Sequence, residues 1–142
     1  MNKGLRRVAI VAATTLLVLS LIPKESLVVP AWSVQVAGID SRPVEGINVR
    51  QVWQDYTLES KSHEEMRVTP SDGRVSFPER RISASRLMRG VGAIRNVLSS
   101  GVHASFGPSS LLVIWGKDDL EGNASYVPGQ PLPDRVTVQK RP

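Results

Sequence analysis

The side chains best placed to do chemistry lie at His63-Glu64-Glu65-Met66-Arg67. A histidine followed at once by a glutamate opens the zinc-protease pattern, in which a second histidine one helical turn later completes the ligand pair. Arg67 stands where that histidine belongs, and a guanidinium has no lone pair to offer a metal. The other histidine, His103, belongs to a distant segment, on the polar side opposite Val102 and Ala104. Both histidines read as solvated side chains. The chain has no Gly-x-Ser-x-Gly elbow, no Gly-x-x-x-x-Gly-Lys phosphate loop and no cysteine. Disulfides, thiolate zinc sites, cysteine nucleophiles and a lipidated cysteine are therefore excluded. No catalytic residue, metal site or cofactor is expected, and the chain does not read as an enzyme.

Two softer kinds of chemistry remain. Trp32, Trp53, Trp115, Tyr56 and Tyr126 could stack on a sugar ring, but Trp53 and Trp115 alternate with apolar neighbours and belong inside a core. Tyr56 and Tyr126 fall in loops and are the candidate ligand-binding residues. The second feature is cationic. Arg80, Arg81, Arg86, Arg89 and Arg95 lie between Arg80 and Gly116, a stretch without Asp or Glu. From Trp32 to the end, 14 basic residues face 12 acidic ones, so the formal net charge of +5 is a local property. The plain reading of the arginines is a solvated helix face. The functional readings are contact with anionic lipid headgroups or with an acidic protein partner; nucleic acid is not expected.

The elements that would position these groups follow from periodicity. Lys3, Arg6 and Arg7 precede an apolar run from Val8 to Ile22, the layout of a signal peptide or a short membrane anchor. The positive flank keeps the N-terminus cytoplasmic and sends the remainder to the extracytoplasmic side. Val29-Pro30-Ala31 is the candidate cleavage site, with 1–31 as the targeting element and its linker, and an uncleaved anchor is the preferred alternative. Residues 32–142 alternate as short strands. Seven are expected: Ser33–Ile39, Ile47–Trp53, Glu65–Thr69 with Met66 and Val68 inward, Arg74–Pro78, Val102–Phe106, Ser110–Trp115 and Arg135–Gln139. Leu111–Trp115, apolar on both faces, is the expected central, doubly covered strand. Gly116–Asp134 reads as a long loop. Leu87, Val91, Ile94 and Leu98 recur at helical spacing, which predicts a helical insert over Ser83–Ser99.

The first half of this domain resembles the carboxypeptidase regulatory-like (transthyretin-like, prealbumin-like) domains. The similarity rests on the Val34–Val36 strand, on Arg42-Pro43-Val44-Glu45-Gly46-Ile47-Asn48-Val49, and on Thr69-Pro70-Ser71-Asp72-Gly73-Arg74-Val75-Ser76-Phe77. It covers roughly Trp32–Pro78, and the arginine-rich insert departs from it. The resemblance implies an all-β, seven-stranded antiparallel Ig/transthyretin-like sandwich. It also implies a non-catalytic accessory, adhesive or carbohydrate-associated role. The function expected is thus a structural or interaction module displayed outside the cytoplasm, with carbohydrate or small-ligand binding by the loops as the alternative.

Overall fold

An N-terminal apolar helix running directly into a core strand sets the architecture. The computed structural model describes residues 2–101 and 104–141. Helix α1 spans Lys3–Leu21, with the Asn2 side chain accepting from Gly4 N at its start. Pro23 holds Ile22 in extended conformation and ends it. The chain continues without a linker into strand β1, Pro23–Val29, which pairs antiparallel with β6, Arg80–Ser85, from Pro23↔Ser85 to Val29↔Arg80. A register shift between Leu27 and Val29 lets Val28 and Val29 both turn into the core.

Two larger sheets complete the β-rich fold. A three-stranded sheet holds β5 (Arg74–Phe77), β2 (Trp32–Ala37) and β9 (Arg135–Thr137) in that order. A five-stranded sheet runs β10 (Gln139–Lys140), β8 (Leu120–Tyr126), β7 (Pro108–Trp115), β3 (Asn48–Asp55) and β4 (His63–Val68). Trp32, Val34, Val36, Phe77 and Val136 meet Val49, Leu112, Ile114 and Ala124 in one core, the packing of a generic β-sandwich. Trp32 is fully buried and its indole N–H donates to Pro133 O at 2.8 Å. Buried Thr69 ties the Pro43–Gly46 turn to the core: its Oγ1 accepts from Ile47 N and donates to Val44 O at 2.7 Å. Gly73 adopts φ +67 beneath Val36 O, where a Cβ would approach that oxygen to 2.6 Å.

Several expectations are corrected. Among the described residues there are ten strands in three sheets and two helices, not seven antiparallel strands, and β2 pairs parallel with β9. The segment expected to link targeting element and domain is β1. Residues 104–106 of the expected Val102–Phe106 strand are irregular and Phe106 is exposed; Val102 and His103 lie outside the described residues. The expected Gly116–Asp134 loop contains β8, whose inward side is made of Leu120, Gly122, Ala124 and Tyr126. Gly122 lets the chain pass within van der Waals reach of Val136 and Val138. The insert divides into β6 and helix α2, Arg86–Ser100, capped by Ser85 Oγ accepting from Met88 N at 3.2 Å. Met66 and Val68 point outward, because the inward positions of β4 belong to His63, Glu65 and Arg67. Strand β7 is central as expected but covered on one face only: Leu112 and Ile114 are buried, while Leu111 and Trp115 face outward.

Two valines at full burial contribute about 1.5–3 kcal/mol each. A chain beginning at Pro23 should therefore retain a cooperative thermal transition by circular dichroism. One beginning at Trp32, lacking β1, should melt at least ~10 °C lower or not fold, since each kcal/mol shifts Tm by several degrees in a domain of this size.

Candidate interaction surfaces

The polar side chains singled out by type are consumed in pairings that hold β6 against the five-stranded sheet. The Arg80 guanidinium lies 4.0 Å over the Trp53 ring, donates to Glu65 Oε2 and contacts Gln51 Oε1 at 3.4 Å. Glu65 also accepts from Arg67 at 2.8 Å. These hydrogen bonds, Arg80 first and Arg67 second, hold the Glu65 carboxyl below its ordinary value. His63 stacks on Trp53 at 5.6 Å, its cross-strand partner, and its Nε2 meets Glu59 Oε1 at 2.6 Å. Gln51 is fully buried; its amide nitrogen has no partner among the described residues. Also among the described residues, no three His, Asp or Glu side chains gather in a way that could hold a metal.

The tyrosines do not converge. Tyr126 is on the inward side at the end of β8, partly buried against the core. Tyr56 is exposed beyond the end of β3, beside Arg95 and Asn96 in a shallow groove of about 250 Å³. The arginines likewise divide. Arg80 is mostly covered, as described. Arg81 pairs with Glu79 at 2.5 Å and approaches Glu25 at 4.0 Å. Arg89 donates to Lys24 O at 3.1 Å and Ser26 Oγ at 2.9 Å, fastening α2 to β1. Arg86 and Arg95 are exposed on α2.

Among the described residues, two surfaces bearing exposed apolar side chains remain uncovered besides α1. One is the outer side of the five-stranded sheet, where Val52, Met66, Val68, Leu111, Val113 and Trp115 share neighbouring register positions. Arg50 lies 5.1 Å over the Trp115 ring at the edge of an open groove of about 820 Å³. Alternation along β3, β4 and β7 placed these residues on one face, but which face met the core depended on pairing.

The other surface is α2. Its protein-facing side is marked by buried Gly92 against Thr57 O, by Asn96 donating to Tyr56 O at 3.2 Å, and by Arg89. At about 100° per residue, Leu87, Val91, Ile94 and Leu98 fall on the other side within about 60° of one another. They are 44%, 58%, 63% and 81% exposed. The spacing that predicted the helix is thus the spacing of an outward stripe. Helix α1 buries no residue either.

The chain matches no family model, no curated protein and no solved structure.

Replacing Glu65 by Gln removes the charge that holds Arg80. Because the Glu65 pKa is lowered on folding, its contribution is complete above the ordinary value of 4.5 and disappears as pH falls through the lowered one. Denaturant unfolding of Glu65→Gln at neutral pH should show a loss of about 1–2 kcal/mol. The difference from the unmodified chain should vanish in acid.

Proposed function

We propose that the protein is a non-catalytic structural or interaction module, held at the membrane by α1 with its β-rich domain on the extracytoplasmic side. One observation carries this reading. The apolar helix has no buried residue, yet the strand it feeds supplies two fully buried core residues. At 19 residues α1 is long and apolar enough to cross a membrane, and at 1.5 Å per residue it extends roughly 28 Å, close to the hydrocarbon thickness. Lys3, Arg6 and Arg7 at its start favour a cytoplasmic N-terminus.

The same observation favours an anchor that stays attached. Val29-Pro30-Ala31 lies between two core strands, and Val29 is completely buried. Cleavage there would remove β1 from a sandwich built around it. An interaction role is supported by the outer side of the five-stranded sheet, where exposed Met66, Val68 and Leu111 surround the Arg50–Glu64 pair. The finer resemblance to carboxypeptidase regulatory-like domains is supported by the order β2, turn, β3, β4, Gly73 turn, β5, and by the β2–β5 ladder from Trp32↔Phe77 to Gln35↔Arg74. A shared fold brings no activity with it. The small-ligand alternative retains Tyr56 but loses Tyr126 to the core.

The test is the state of the N-terminus in cells. The full-length chain should stay in the membrane fraction through an alkaline carbonate wash, and its intact mass should include α1. A stable soluble product beginning at Trp32 would overturn the tethered reading.

A further inference from the structure

We infer that α2 is a second membrane contact, an interfacial helix that lays its Leu87–Leu98 stripe into an anionic leaflet at the foot of α1. The inference rests on the tethered reading of α1 and adds a surface, a partner chemistry and an orientation to it.

Three observations converge. The first is position. Pro23, the residue two beyond α1, pairs with Ser85, the N-cap of α2. Paired strands lie about 5 Å apart, so the end of α1 and the start of α2 emerge together. Arg89 strengthens this junction by gripping Lys24 O and Ser26 Oγ, and the two helices touch. If α1 ends at the outer surface of the bilayer, α2 begins there.

The second is polarity. A surface helix of a soluble domain turns its apolar stripe inward. Here Gly92, Asn96 and Arg89 face the domain, and the apolar stripe is on the opposite side. Fifteen residues extend roughly 22 Å, too short to span a bilayer and suited to lying in its surface. An apolar notch of about 260 Å³ lined by Leu58, Leu87, Met88, Val91, Gly92 and Arg95 continues the stripe towards the domain.

The third is charge. Arg86 and Arg95 flank the stripe on its two sides, at the height where guanidinium groups reach phosphate while their stems stay among acyl chains. Helix α2 carries no acidic residue; Glu59 shares the Tyr56 groove with Arg95, and its two carboxylate oxygens are engaged by Asp55 N and His63 Nε2. Each such arginine near an anionic leaflet favours contact several-fold.

The chain has no cysteine, so single labels report cleanly. Ile94→Cys and Leu98→Cys on the stripe, and Ser71→Cys as reference, would each carry an environment-sensitive fluorophore. Ser71 sits in the turn before β5, beside the end of β2 remote from β1. The full-length chain is reconstituted in vesicles of phosphatidylcholine, with or without phosphatidylglycerol, containing a spin-labelled phospholipid. Circular dichroism verifies that each labelled chain is folded.

Labels at 94 and 98 should be blue-shifted and quenched several-fold more than the label at 71 when phosphatidylglycerol is present. Arg86→Gln with Arg95→Gln should weaken that quenching by about an order of magnitude. Unquenched labels at 94 and 98 overturn the inference, whether they report water or burial under a second copy. Equal quenching in both lipids, insensitive to the arginine changes, overturns the assignment to anionic lipid. Flotation separates the two levels: a chain that floats with unquenched stripe labels refutes the α2 contact alone, and one that does not float refutes the tether.

Discussion

The short antiparallel pairing of β1 with β6 is the constraint from which the rest of the molecule follows. It joins the apolar helix before β1 to the amphipathic helix after β6 and sets both at one end of the domain. It also delivers Val28 and Val29 into the core shared by the two larger sheets. A two-stranded sheet is marginal alone. Here it is held by those valines, by Arg80 against Glu65, Gln51 and Trp53, and by Arg89 across to β1. Arg80 and Arg89 therefore serve the fold, while Arg86 and Arg95 remain exposed on α2.

This division explains why residue type was a poor guide to chemistry. Histidine, glutamate and arginine near the β3–β4 edge resemble fragments of a metal or acid–base site, yet each is matched to a neighbour and stacked around a single indole. Among the described residues, the fold leaves uncovered helix α1, a sheet face that mixes apolar side chains with Arg50 and Glu64, and the apolar stripe of α2.

Strand existence was legible wherever alternation was strong, as in Trp32–Ala37, Asn48–Asp55 and Arg74–Phe77. Face assignment was less so. Met66, Val68 and Trp115 are apolar and alternate correctly, but pairing β4 to β3 through Gln51↔Glu65 puts the charged row inward, where Arg80 can meet it. Strand β8 escaped notice because its inward residues include Gly122 and Ala124, small enough for the close approach of β9 yet silent as hydrophobic signal. Strand β1 escaped because Lys24, Glu25 and Ser26 look like a linker until their partners on β6 are known. The candidate site suffered the same ambiguity: helical spacing identified α2 correctly, and only tertiary structure shows that its stripe turns away from the core.

The parallel pairing of β2 with β9 carries a consequence for how the chain reaches its final form. Gln35 is opposite Arg135, about a hundred residues later, and between them lie strands β3 to β8. Closing so long a loop is entropically slow and is rewarded only when the final strand arrives. Until Arg135–Thr137 is available, β2 stays beside its antiparallel neighbour β5 with its other edge open. The sandwich then closes in a late, cooperative step, and the domain gains its resistance to unfolding only once β9 has docked.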